Sequence, residues 1–143
     1  MISITKLLFD DAYFGDGLRY SHASRGVTDG TTSGMGPVVV WNCTRTCNLR
    51  CVHCYMDSEA KKYAGEMSTA EAKQMIDDLA EMKVQVLLFS GGEPLLRPDI
   101  FELAEYTGAK GIRPTFSTNG TLITREVAQR IKDIGVGYVG ISL

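Results

Sequence analysis

Cys47-Asn48-Leu49-Arg50-Cys51-Val52-His53-Cys54 places three cysteines at the spacing C-x3-C-x2-C, and no cysteine follows downstream. A short β-branched run, Val38-Val39-Val40-Trp41, precedes this stretch, and a helix signal follows it at Ser68. Three thiolates can hold three corners of a [4Fe–4S] cube and leave the fourth iron open to an outside ligand. A closed electron-transfer cluster takes four cysteines. An open iron is a place to do chemistry, so the run points to an enzyme. A zinc site is the alternative, with Cys43 or His53 as fourth ligand. Structural zinc favours two separated pairs of ligands, and no second pair is present. Cys43 itself reads as a small buried apolar residue.

Around that run the sequence alternates strand and helix. Ser68-Thr69-Ala70-Glu71 is a capping box, with Ser68 as N-cap. Ala72, Met75, Ile76, Leu79 and Met82 form the apolar stripe of the helix behind it. Val84 to Phe89 is a buried strand that runs into Ser90-Gly91-Gly92-Glu93-Pro94. Pro98-Asp99 opens a helix with Ile100, Leu103, Ala104 and Thr107 inward, stopped by Gly108 and Gly111. Pro114 to Ser117 is a third strand, ending in Thr118-Asn119-Gly120. Thr124 caps a helix that Gly135 ends, and Val136 to Leu143 is a fourth strand.

This alternation predicts an α/β fold with a parallel sheet. In such sheets the functional loops lie at the carboxyl ends of the strands. The cysteine loop, the Gly-Gly-Glu-Pro turn and the Ser-Thr-Asn-Gly turn each follow a strand and so converge on one rim. Residues 1–36 read as an N-terminal leader, with a short strand or helix over Ile2–Phe9 and a loop rich in Gly, Ser and Thr from Gly15 to Gly36.

The 143 residues suit one domain, and a net charge of −2 argues for neither nucleic acid nor a membrane surface. The start is too short and too soon acidic for a secretory signal. No apolar run approaches the ~18 residues that span a bilayer. All four cysteines, Cys43, Cys47, Cys51 and Cys54, are clustered rather than spread to staple distant loops. That pattern predicts metal binding in a reducing, cytoplasmic compartment.

Two glycines let backbone pass close to a ligand because no Cβ intervenes, and Pro94 fixes the turn. Carbonyls there and the Glu93 carboxylate suit an ammonium group. Ser117, Asn119 and Ser142 have two readings: hydroxyls and an amide that bind a carboxylate or ribose, or plain turn chemistry at Asn-Gly. Lys61, Lys62 and Arg97 read as solvated. The two histidines, His22 and His53, complete no Ser-His-Asp set.

Cys47-x3-Cys51-x2-Cys54 after a first strand, then Gly91-Gly92-Glu93-Pro94 after a second, resembles the radical S-adenosylmethionine (SAM) superfamily over residues 37–143. The resemblance implies a partial TIM-like (βα) barrel, the N-terminal part of that family's core. It implies that Cys47, Cys51 and Cys54 carry a [4Fe–4S] cluster whose open iron chelates SAM. One electron then yields a 5′-deoxyadenosyl radical. It implies SAM contacts from Gly91, Gly92, Glu93, Pro94, Ser117, Asn119 and Ser142, and adenine stacking by His53, where the family usually has an aromatic residue. No catalytic residue beyond the cluster ligands is assigned.

The stretch from Pro37 to Tyr55 and the leader, with Leu18-Arg19-Tyr20-Ser21, are similar to the subgroup of the alternative haem and haem d1 pathways. That likeness implies side-chain removal from a sirohaem-derived tetrapyrrole, as in the deacetylase that gives iron-coproporphyrin III. It also implies an electron donor such as a flavodoxin or ferredoxin. A peptide- or protein-modifying maturase with the same core is the runner-up. A non-catalytic iron–sulfur or zinc module is a third reading. The family core has six βα units, and this chain supplies about three and a half before stopping at Leu143 in an apolar strand. The expectation is a fragment, poorly soluble alone because its last strand leaves an unpaired edge.

Overall fold

The computed structural model describes residues 37–142. The leader, 1–36, lies outside the described residues, as does Leu143. Four strands form one parallel sheet in the order β1-β2-β3-β4: β1 Val38–Thr44, β2 Val86–Gly91, β3 Arg113–Thr118 and β4 Tyr138–Ile141. Helices α1 (Thr69–Glu81), α2 (Ile100–Ala109) and α3 (Arg125–Asp133) make the crossovers that parallel pairing requires. A single 3-10 turn, Pro94–Leu96, follows β2.

The register sets the height of each loop. Trp41 lies opposite Phe89, and Phe89 opposite Phe116. Their rings are in contact at centroid distances of 5.7 and 5.6 Å, and Phe101 of α2 meets Phe116 edge-on at 6.5 Å. With Leu87, Ile76, Ile100, Leu103 and Ala104, these rings form the layer between sheet and helices. Each fully buried large side chain contributes about 1.5–3 kcal/mol. In β1 the alternation shows one packed face: Val38 and Val40 are exposed, whereas Cys43 is buried.

The Ser68 cap forms as the sequence predicts. Glu71 N–H donates to Ser68 Oγ, and Ser68 N–H donates to a Glu71 carboxylate oxygen at 2.8 Å. Thr124 caps α3 by accepting from Val127 N–H. Three details differ from expectation. Met82 is the C-cap of α1 and is exposed, because the stripe ends with the helix. Gly108 lies inside α2, and the stop is made at Gly111, which takes φ +78. The first strand runs on to Thr44, past a register irregularity between Asn42 and Thr44.

Arg97 is a larger correction. It is buried, not solvated. Its guanidinium donates to both Asp99 carboxylate oxygens (2.8 and 3.1 Å), to Cys43 C=O and to Met67 C=O (2.8 Å each). It also lies 5.1 Å from the Trp41 ring centre. A buried guanidinium is tolerated because carboxylate and carbonyls take up its donors.

Candidate functional site

The cysteine loop leaves β1 and folds back on itself. Cys47 N–H donates to Glu59 C=O at 3.1 Å, and Thr46 Oγ1 donates to Lys61 C=O at 2.8 Å. Arg45 clasps the far side, donating to Met56 C=O and Asp57 C=O, with its guanidinium over Tyr63. Glu66 holds the root by accepting from Thr44 Oγ1 and Arg45 N–H at 2.9 and 2.8 Å.

Gly91 and Gly92 fit β2 against this loop. A Cβ on Gly91 would stand 2.2 Å from Thr44 O, and one on Gly92 2.3 Å from Thr46 O. Gly91 also takes φ +125, a conformation that side chains disfavour. The close approach they permit is to the protein's own backbone: Gly92 N–H donates to Thr44 C=O and Glu93 N–H to Thr46 C=O.

Glu93 is fully buried and sits between two loops. One carboxylate oxygen accepts from Leu95 N–H (3.1 Å) and Thr118 Oγ1–H (2.7 Å), the other from Asn119 N–H (2.8 Å). These donors offset the cost of burying the charge. Glu93 therefore ties the turn after β2 to the turn after β3, and Pro94 is buried beside it.

The three motifs that the sequence sends to one rim do meet. Asn119 reaches back to the cysteine loop, its Nδ2 lying 2.9 Å from Asn48 Oδ1 and 3.8 Å from Cys47 Sγ. The remaining expected residues are less engaged. Ser117 is half-buried in β3, while Ser142 is exposed and joined to Thr118 through its backbone N–H. Cys51 and His53 are exposed, and Cys54 is half-buried.

The thiols differ in character. Burial pushes Cys43 up to about 12, against a smaller opposing pull from Arg97, and its Sγ donates to Ser90 C=O. A thiol held neutral is a poor metal ligand. Cys54 is held below its ordinary value, first by Ser58 N–H and then by Met56 N–H. The Ser58 hydroxyl is buried and has no hydrogen-bond partner among the described residues. All four cysteines are free. Among the described residues no three His, Cys, Asp or Glu side chains are gathered closely enough to share one ion. The donor chemistry of Cys47, Cys51 and Cys54 nonetheless fits a thiolate-held cluster. Cys47 Sγ faces two N–H groups, Leu49 N at 3.4 Å and Asn119 Nδ2, and the surroundings of Cys54 favour its thiolate.

Sequence reasoning missed several contributors. Glu66 and the Asn48–Thr121 pair carry no linear signal, since their partners are brought together only by folding. Among the described residues no helix is long and apolar enough to cross a membrane.

Comparison with known proteins fits this geometry. Fe-coproporphyrin III synthase of Methanosarcina barkeri is 48% identical over 146 aligned residues, covering 100% of this chain and 37% of that protein. Pre-heme d1 synthase of Dinoroseobacter shibae is 47% identical, covering 75% and 26%. Mycofactocin maturase MftC of Mycobacterium tuberculosis is 45% identical, covering 73% and 27%. The chain thus spans 26–37% of the length of these relatives. The crystal structure of BtrN in complex with AdoMet and 2-DOIA shares the fold, with a TM-score of 0.63 at 24% identity, covering 75% of this chain and 45% of that one. The sequence profile of the Radical SAM superfamily matches residues 41–143, from the middle of β1 through every loop of the rim. The chain belongs to the radical SAM superfamily, enzymes whose cofactors are a [4Fe–4S] cluster and SAM.

Proposed function

We propose that this chain is the N-terminal part of the core of a radical SAM enzyme that removes side chains from a sirohaem-derived tetrapyrrole in haem biosynthesis. One observation carries the reading. The likeness to the iron-coproporphyrin III synthase extends over the whole chain, including the leader, whereas the likeness to the maturase MftC covers 73% of it. Peptide modification is the second reading, and that maturase likeness is what favours it.

Cys47, Cys51 and Cys54 would hold the cluster, which with SAM supplies one-electron chemistry when bound. Around it the chain's own residues have separate tasks. Gly91 and Gly92 bring the β2 turn against the cysteine loop, and Glu93 and Pro94 hold it there. In this reading the rim made by that turn, Ser117, Asn119 and Ser142 receives SAM. His53, exposed next to Cys54, supplies a flat ring for adenine. The electron comes from a small donor such as a flavodoxin or ferredoxin. Four free thiols accord with a reducing cytoplasm.

The test uses the full-length protein, reconstituted without oxygen and supplied with SAM and dithionite. Didecarboxysirohaem should be converted to iron-coproporphyrin III, read by mass spectrometry, with formation of 5′-deoxyadenosine. Deoxyadenosine formed without any change in the tetrapyrrole, together with modification of a peptide, would move the assignment to the maturase reading.

A further inference from the structure

Cys47, the first member of the cysteine run, has a side-chain donor from outside it. Asn119 belongs to the turn after β3, yet its Nδ2 lies 3.8 Å from Cys47 Sγ. Three side chains fix its orientation in a closed ring. Asn119 Nδ2 donates to Asn48 Oδ1 (2.9 Å), Asn48 Nδ2 donates to Thr121 Oγ1 (2.8 Å), and Thr121 Oγ1 donates to Asn119 Oδ1 (2.7 Å). Thr121 N–H also points at Asn119 Oδ1, at 3.0 Å. A backbone N–H can only donate, so that atom must be the amide oxygen and the amide nitrogen must face the sulfur. Of the two Nδ2 hydrogens, one serves Asn48 and the other is directed to Cys47.

We propose that Asn119 is a positioning residue that donates a hydrogen bond to the Cys47 thiolate and thereby raises the reduction potential of the cluster that thiolate helps to hold. The inference rests on the cluster reading above. Reduction adds one negative charge to the cluster, and a donor to a ligating sulfur stabilises the more negative state more strongly. Removing the donor makes the cluster harder to reduce. Through Glu93, which accepts from Asn119 N–H, the turn after β2 is coupled to the same donor.

Two variants of the full-length reconstituted protein test this: Asn119→Asp, which keeps the acceptor for Thr121 and replaces the donor to sulfur, and Asn119→Leu, which removes the donor without adding a charge. The readout is the reduced-to-oxidised ratio of the cluster by EPR at a fixed ambient potential, with thermal melting of the same samples. The ratio should fall about tenfold for Asn119→Asp, a 59 mV shift for a one-electron couple. It should fall about threefold for Asn119→Leu, since a neutral donor is lost without a new charge. Purely structural roles would lower the melting temperature and leave the ratio alone. Ratios within twofold of the parent in both variants overturn the proposal. A parent protein that assembles no cubane cluster overturns the cluster reading itself, and this inference with it.

Discussion

The two loops that face each other across the rim are built in opposite ways. The turn after β2 is buried: Glu93 and Pro94 are inaccessible, and the Glu93 carboxylate is filled by three donors. The cysteine loop opposite is largely solvated, with Cys51, Val52 and His53 exposed and its shape set by backbone turns and by Arg45. Cys47 at its base and Ser58 near its return are the residues packed inward. The difference separates two jobs. One side is a fixed wall that the fold supplies, and the other is a flap whose outer thiols have few contacts and can adjust to what they grip. Low local packing is what lets such a segment adjust.

The contrast breaks most severely if the wall itself gives way. Arg97→Ala should cost about 3–5 kcal/mol, because Asp99 and two carbonyls lose their buried partner. Denaturant unfolding would measure it. The loss should depend on pH. Burial alone would raise Asp99, but hydrogen bonds from Arg97 and Thr69 outweigh it and hold the carboxyl below its usual 3.8. The folded value is the lower one, so the contribution is complete above about 3.8 and is lost as pH falls through the folded value. The gap between parent and variant should therefore narrow below that pH.

Gly92→Ala should come next, at about 1–3 kcal/mol, since its Cβ would run into backbone that cannot swing aside. Its more telling effect is on the flap: cysteine reactivity toward a thiol reagent should rise at Cys47 as the two loops separate. Unchanged Cys47 labelling would show that the glycines do not set the spacing. The smallest effect should come from Val52→Ala on the outer flap, with no measurable shift in the unfolding midpoint. A clear destabilisation there would mean that the flap is as firmly packed as the wall.

How much of this was readable in advance follows the same division. Helix caps at Ser68 and Thr124, the strand at Phe89 and the cysteine spacing are local patterns, and each has a short-range physical cause. Arg97 was misread because charge suggests solvent, and its paired carboxylate and the two carbonyls are assembled only by folding. The glycines at 91 and 92 were readable as a close approach, but the sequence did not say that the approaching group is Thr44 and Thr46 backbone. Glu93 read as a ligand-facing carboxylate, whereas its three donors come from turns on two different strands. The Asn48–Asn119–Thr121 ring joins residues far apart in the chain, and no periodicity announces it.

The chain has one tryptophan, Trp41, on the strand that feeds the cysteine loop, with the Phe89 ring and the Arg97 guanidinium against it. A single indole at that place is a built-in optical gauge. Iron–sulfur chromophores absorb where indole emits, so loading of the loop should dim this fluorophore in proportion to occupancy, and metal uptake can be followed in real time without a label.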